Sequence, residues 1–171
     1  LRAGQSRRAI VIGAETFTRL LDWTDRGTCV LFGDGAGAII LDSYEIEPAA
    51  KQFGVLSTHL HSDGRHRDIL YVDGGPSMNS KTGHVRMSGK EVFRHAVSKL
   101  GSVINEALVA NNLSSNDIDW LVPHQANKRI IESMAKKLNM PMDKVICSIE
   151  RHANTSVSYT HLRAHETSYE L

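Results

Sequence analysis

The chain has 171 residues, of which 41% are hydrophobic and 23% charged, as in an ordinary globular protein. Its 20 basic and 19 acidic residues give a net charge of +1, which favours neither nucleic acid nor a membrane surface as a partner. The apolar runs fall short of the roughly 18 to 20 residues that span a bilayer. The sequence opens at Leu1 without methionine or a secretory leader, which predicts a fragment of a longer protein.

Cys29 and Cys147 are too few for a disulfide framework or a zinc cluster. Cys29 lies within an apolar run, at 28–32. We predict that both are buried, reduced thiols in a cytoplasmic protein that holds no metal.

The first part of the chain is patterned as strands. Apolar runs at 9–13, 29–32 and 36–41 predict three strands, and their continuous apolarity indicates cover on both faces. Runs at 54–60 and 69–72 predict shorter strands in a stretch that is otherwise polar and rich in turns.

The pattern becomes helical from Ser88. Apolar residues from 92 to 108 predict a long amphipathic helix, and Ser88 with Glu91 predicts a capping box at its start. After a break at 111–117, the run 118–122 predicts a strand, which Pro123 ends.

A second helix should follow Pro123 and precede a strand at 144–149. The residues on its apolar face are Ile130, Ile131, Met134, Ala135 and Leu138. Alternating strands and helices predict an α/β sandwich, with a right-handed crossover if the two late strands are parallel neighbours.

Polar clusters follow both late strands, at 124–127 and at 152–156. If the strands are parallel, His124 and Asn154 open onto the same edge of the sheet. Two neutral N–H donors there would suit a developing oxyanion. Spacing alone leaves open a plainer interpretation, in which His124 caps a helix and Asn154 forms an Asx turn.

The amino-acid sequences of these segments resemble those of a known family. Residues 120–131 (Trp-Leu-Val-Pro-His-Gln-Ala-Asn-Lys-Arg-Ile-Ile) resemble the histidine segment of bacterial β-ketoacyl-acyl-carrier-protein synthase III. Residues 25–38 and Asn154-Thr155-Ser156 resemble two other segments of that family. The resemblance implies an incomplete thiolase-like layered α/β sandwich. It comprises the end of the N-terminal half at 1–43, a loop-rich connection at 44–83 and a truncated C-terminal half at 84–156.

The activity that the resemblance implies is the condensation that starts fatty-acid synthesis. An acyl-coenzyme A primer acylates a cysteine, malonyl-acyl-carrier protein loses CO₂, and the product is β-ketoacyl-acyl-carrier protein. The family needs no cofactor and forms homodimers. Its nucleophilic cysteine would precede Leu1, neither Cys29 nor Cys147 matches its motif, and this chain alone is expected to be inactive.

Residue roles follow from the same resemblance. His124 and Asn154 would hold the malonyl thioester carbonyl. Coenzyme A and its pantetheine arm would contact Arg26, Gly27, Met87, Phe93, Ala126, Asn127 and Arg129. For Phe93, a plain place in the helix core is equally open.

Carrier proteins are acidic, so docking calls for local positive charge. The docking residues that the resemblance suggests are Gln125, Ala126, Asn127, Lys128 and Arg129, joined by Arg94, Lys136 and Lys137. Alternatively, Lys136 and Lys137 form an ordinary solvated helix end that favours the helix dipole.

Two motifs invite other interpretations. The glycines at 33–38 lack dinucleotide-binding spacing and more simply allow close backbone packing. His161, His165 and Glu166 suggest a metal site, but they fall in 157–171, which departs from the family and which we interpret as a non-native tail. Ala153 stands where the family usually has glycine. Its methyl group would disturb the backbone before Asn154 if that backbone needs the unusual torsion angles that glycine allows.

Other functions remain open from the sequence. One is a related thiolase-fold condensing enzyme, of secondary metabolism or of the 3-hydroxy-3-methylglutaryl-coenzyme A synthase type. Another is a non-catalytic module that binds carrier protein or coenzyme A. We also expect the isolated chain to be poorly soluble, because strands of the first half would lack their cover.

Overall fold

The computed structural model describes residues 1–45, 47 and 53–155. Those residues form four strands: β1 (Arg8–Glu15), β2 (Gly35–Asp42), β3 (Leu70–Val72) and β4 (Val85–Met87). They form three α-helices: α1 (Gly89–Ala110), α2 (Lys128–Lys137) and α3 (Ile149–His152). Short 3-10 turns lie at Phe17–Leu20, Gly64–Ile69, Ser115–Asp117 and Met142–Lys144.

Strands β1 and β2 form an antiparallel pair of eight register positions, from Arg8 opposite Asp42 to Glu15 opposite Gly35. The predicted strands at 9–13 and 36–41 are therefore confirmed. Cover on both faces is wrong for the described chain, because Ile10, Ile12 and Ile40 are 62%, 70% and 66% exposed. These three residues, which we call the open apolar face, are left uncovered by the rest of the described chain.

The strand predicted at 29–32 is wrong. Cys29 N–H donates to the Asp25 carbonyl at 3.0 Å and Leu31 N–H to the Thr28 carbonyl at 3.0 Å, so local turns take up the backbone groups. Only Phe32 pairs as in a sheet, in an isolated parallel bridge with Asn154.

The middle of the chain gives one of its two predicted strands. The run 69–72 yields β3, which pairs antiparallel with β4. The run 54–60 forms no strand, so that prediction is wrong.

Side-chain hydrogen bonds hold the 54–60 run against α1 instead. Asn111 Nδ2 donates to Ser57 Oγ at 2.7 Å, and the Glu106 carboxylate meets His59 at 3.0 Å and His61 at 2.7 Å. The two imidazoles hold the pKa of Glu106 below its usual value. Hydrogen bonds between polar side chains thus hold this run in place, instead of the backbone hydrogen bonds of the strand that its apolar residues predicted.

Both predicted long helices are present. Helix α1 begins after Ser88, but the Ser88 side chain makes no capping bond, so the predicted capping box is wrong. The Ser88 carbonyl instead accepts from the N–H groups of Glu91 and Val92 at 3.0 Å each. Helix α2 buries the predicted residues Ile130, Ile131, Met134 and Ala135.

The two late strands are reduced to one parallel bridge, Leu121 with Val145. Leu121 N–H donates to the Lys144 carbonyl at 3.0 Å, and Ile146 N–H donates to the Leu121 carbonyl at 2.9 Å. The parallel neighbourhood is confirmed, whereas the predicted length of both strands is wrong.

The core lies between these two segments and α2. Its buried members are Ile131, Ala135, Met140 and Val145, with Ile118, Leu121, Leu138 and Cys147 packed against them. Cys29 and Cys147 are free thiols and only partly buried, so the prediction of full burial is wrong.

No helix in the described ranges is both long and apolar enough to cross a bilayer. The same part of the chain contains no group of three or more potential ligand side chains placed to hold a metal ion. His161, His165 and Glu166, with the predicted tail, lie outside the described residues.

Candidate active site

His124 lies in the turn that leads from Leu121 into α2. Its carbonyl accepts from Ala126 N–H at 2.9 Å. The residue that caps α2 is Asn127, whose side-chain oxygen accepts from Arg129 N–H at 2.9 Å. The plainer interpretation of His124 as a helix cap is therefore wrong.

The pKa of His124 lies below its ordinary value because neighbouring protein displaces water from the ring, while the charge of Glu15 acts in the opposite direction. The residue keeps an exposed surface, so this desolvation is partial. The lowered pKa favours the neutral imidazole, which has a single N–H donor. Glu15 ends β1, which brings the first part of the chain to His124.

Asn154 follows α3 and is 7% exposed. Its N–H donates to the Leu31 carbonyl at 2.9 Å, and its carbonyl accepts from Gly33 N–H at 3.0 Å. A Cβ at Gly33 would lie 3.3 Å from the His152 carbonyl oxygen. Close backbone packing, as predicted for these glycines, thus fixes the position of Asn154.

Asp34 excludes the phosphate-loop interpretation of the same glycines. Its carboxylate accepts from Thr18 N–H at 2.7 Å and from Thr18 Oγ1 at 2.6 Å. These bonds hold the pKa of Asp34 below its usual value, so the loop carries a negative charge where a phosphate would need donors.

Ala153 has φ 55° and ψ −162°. This region of backbone space is essentially restricted to glycine, because a Cβ is crowded there. The expectation that this position needs unusual torsions is confirmed. The strain lies directly before Asn154.

Gln125 is 0% exposed, although sequence reasoning assigned it to carrier-protein docking. Its Nε2 donates to the carbonyls of Pro123 at 2.9 Å and Ile146 at 3.0 Å. Its Oε1 accepts from the N–H groups of Ser148 at 2.8 Å and Ile149 at 3.2 Å. A buried side chain cannot meet a protein surface, so docking through Gln125 is corrected. No periodicity marks this glutamine as an interior residue in the sequence.

Phe93 and Arg129 come together across α1 and α2. The Arg129 guanidinium lies 5.2 Å from the centroid of the half-buried Phe93 ring, in a cation–π contact. Met87 is half-buried at the end of β4, just before α1. Phe93 is therefore half-buried where α1 meets α2, and its place along the pantetheine arm stays a prediction.

Arg26 and Gly27 lie on an exposed turn. The Asp25 carboxylate accepts from Gly27 N–H at 2.9 Å and from Thr28 Oγ1 at 2.8 Å, which shapes the turn. Arg26 is thereby presented to solvent.

The cations assigned to docking separate into two sets. Lys128 pairs with Glu150 at 2.6 Å, and Lys137 Nζ donates to the Val97 carbonyl at 2.9 Å. Arg94, Arg129 and Lys136 are exposed and have no acidic partner among the described residues. Ala126 and Asn127 are half-buried beside them.

A cavity of about 650 Å³ lies beside the Asn154 segment. Its walls include Val30, Leu31, Asp34, His152 and Ala153, but neither His124 nor Asn154. The cavity therefore does not join the two candidate donors, and we assign it no substrate.

Two family models match the chain, both describing 3-oxoacyl-[acyl-carrier-protein] synthase III. The first matches residues 1–64, and the C-terminal model matches 108–169, which reaches into the predicted tail. The synthase III of Paramagnetospirillum magneticum is 61% identical over 158 residues, covering 92% of this chain and 49% of the relative. That of Rhodospirillum centenum is 62% identical, with the same coverage. The chain spans about half the length of these curated relatives.

Among solved structures, the synthase III of Aquifex aeolicus matches with a TM-score of 0.88 and 36% identity, over 99% of this chain and 51% of that one. The fold and site thus define an incomplete thiolase-like α/β protein. More narrowly, the chain belongs to the 3-oxoacyl-[acyl-carrier-protein] synthase III family.

Proposed function

We propose that this chain supplies the two hydrogen-bond donors of a condensing enzyme that starts fatty-acid synthesis. The reaction joins an acyl-coenzyme A primer to malonyl-acyl-carrier protein and gives β-ketoacyl-acyl-carrier protein. The supporting observation is that His124 follows a segment paired in parallel with the one that leads to Asn154. Partial desolvation, which lowers the pKa of His124, favours the neutral imidazole there.

In the proposed step, the bond between the malonyl carboxylate and its α-carbon breaks, and CO₂ leaves. The electron pair moves into a thioester enolate, whose oxygen accepts N–H bonds from His124 and Asn154. The α-carbon then attacks an acyl-thioester on a cysteine outside this chain, a C–C bond forms, and the thiolate leaves. Removing one such donor costs about 10² to 10³ in rate.

The substrate-binding part of the proposal is split between two surfaces. Arg26 and Gly27 would bind coenzyme A on the exposed turn, with Met87 and Phe93 along the pantetheine arm. Ala126, Asn127 and Arg129 would contact the same arm. Carrier-protein docking is retained for Arg94, Arg129 and Lys136, which are exposed residues without an acidic partner in the described part of the chain. Dimer formation, a cytoplasmic location and the lack of a cofactor complete the proposal.

A chimera tests the reaction. The unmatched half of the Paramagnetospirillum magneticum relative would be joined to residues 1–155 of this chain, and ¹⁴CO₂ release from malonyl-acyl-carrier protein measured. We expect H124A and N154A to lose about 10²-fold or more. Acyl transfer from coenzyme A to the cysteine should survive both changes, since the enolate is absent from that step. Full decarboxylation by both variants would reject the assigned roles.

The docking part has its own test. Charge reversal by R129E should weaken use of malonyl-acyl-carrier protein far more than use of malonyl-coenzyme A. K128E is the matched control, because Lys128 already pairs with Glu150. Equal losses on both substrates would reject docking through Arg129.

A further inference from the structure

We propose that Gln125 is a positioning residue that sets His124 relative to Asn154. The proposal rests on the condensing function above and adds a role for a side chain that contacts neither substrate. It follows from the burial of Gln125, the way its amide is used and the two segments that the amide joins.

The side-chain amide of Gln125 is fully used. It donates twice, to the Pro123 and Ile146 carbonyls. Its oxygen accepts from the Ser148 and Ile149 N–H groups and, at the longer distance of 3.4 Å, from Ser148 Oγ. A glutamine amide has two donor hydrogens and two acceptor lone pairs, so none is left over. Because the group is 0% exposed, losing any partner would leave a buried polar atom unsatisfied.

The position of Pro123 explains why a side chain is needed. The parallel pairing runs from Leu121 N–H to Lys144 and from Ile146 N–H back to Leu121. The next rung of a parallel ladder would be donated by residue 123 to the Ile146 carbonyl. Proline has no N–H, so that rung cannot form. Gln125 Nε2 supplies the missing bond at 3.0 Å.

On one side the amide fixes His124. Pro123 precedes His124 and Gln125 follows it. Gln125 Nε2 donates to the Pro123 carbonyl at 2.9 Å. The His124 carbonyl is itself bound by Ala126 N–H. The backbone on both sides of the imidazole is thereby restrained.

On the other side the amide fixes the approach to Asn154. Its Oε1 binds the N–H groups of Ser148 and Ile149, where α3 begins. That helix is a single turn, closed by Ala153 N–H donating to the Ile149 carbonyl at 2.9 Å. Asn154 is the next residue. A displacement of the backbone at Ser148 would therefore be transmitted through this single turn and would displace the Asn154 side chain.

The test uses the chimera with Q125M and Q125E. Methionine keeps the side-chain volume but makes none of these hydrogen bonds, whereas a glutamate carboxylate keeps the acceptors but places charged oxygens against two carbonyls. We expect Q125M to lower kcat for condensation about 10- to 100-fold, with KM and acyl transfer from coenzyme A nearly unchanged. Q125E should regain rate as the pH falls, because a protonated carboxyl donates again. The exposed change Q5M is the control.

Two results would overturn the proposal. One is full condensation in Q125M. The other is an equal loss of condensation and acyl transfer, which indicates a role in folding alone. If the unmodified chimera itself fails to release CO₂, the proposed function fails instead. Backbone hydrogen exchange then still tests whether Gln125 positions these segments. The Ser148 and Ile149 amides should exchange at least 10-fold faster in Q125M, and unchanged exchange would rule out the positioning role.

Discussion

The pair β1–β2 and the region around α2 are built in opposite ways. The strand pair completes eight register positions yet leaves Ile10, Ile12 and Ile40 open to solvent. The α2 region has one bridged backbone pair and encloses a core around Ile131. Backbone pairing and side-chain burial are thus separate contributions to this chain. Asn154 is buried and His124 keeps an exposed surface. The first part of the chain reaches both: the charge of Glu15, at the end of β1, acts on His124, and Gly33, two residues before β2, donates its N–H to the Asn154 carbonyl.

Truncation at the core should have the largest effect. Ile131 is 0% exposed, so Ile131→Ala should lower the free energy of unfolding by about 2–5 kcal/mol. Ile12→Thr, on the open apolar face, should change it by only about 0.5 kcal/mol. Denaturant unfolding followed by tryptophan fluorescence measures both. Equal effects would show that the strand pair is as buried as the core.

Relief of backbone strain should come next. Ala153→Gly removes the crowded Cβ at φ 55° and ψ −162°, and should stabilise the chain by about 1–3 kcal/mol. Asn112→Gly is the matched control at φ 53°, because asparagine tolerates the left-handed region. Its effect should stay within a few tenths of a kcal/mol. A destabilised Ala153→Gly protein would mean that the backbone there is not strained.

The open apolar face should drive self-association of the isolated chain. A lysine in place of Ile12 puts charge on that face, so we expect it to raise the soluble concentration several-fold. Size-exclusion chromatography and sedimentation measure the change, and Val109→Lys on exposed α1 is the control. A monodisperse, cooperatively folding monomer of the unaltered chain would contradict this expectation.

The smallest effect concerns the link between the two regions. Glu15→Gln removes the charge that raises the pKa of His124, so that pKa should fall further. NMR titration of the imidazole measures the pKa, and Asp143→Asn is the control because Glu15, not Asp143, is the charge that acts on His124. Because the folded pKa lies below the unfolded one, the unfolded chain binds the proton more readily. Stability should therefore drop as the pH falls below about 6.5, and more so in Glu15→Gln.

Sequence reasoning succeeded where the pattern was long and local. The apolar periodicity of 92–108 and 130–138 gave both helices, and β-branched runs gave β1 and β2. It failed at 29–32 and 54–60, because equally apolar residues there have their backbone or polar groups taken up by turns and side chains. Pairing over long separations leaves no periodic mark in such short runs.

What the sequence by itself determined is the family, two helices, one strand pair and the identity of His124 and Asn154 as candidates, since motifs and periodicity are local properties. Only the tertiary structure decided that Gln125 is interior, that Lys128 and Lys137 have partners within the chain, and that Asn127 rather than His124 caps α2. The Asn127 cap is a local bond to Arg129, but the outcomes for Gln125, Lys128 and Lys137 depend on which groups meet across more than twenty residues of chain, as Gln125 and Ser148 do. A side chain's burial and hydrogen-bond partners are set by that meeting, not by its neighbours in sequence.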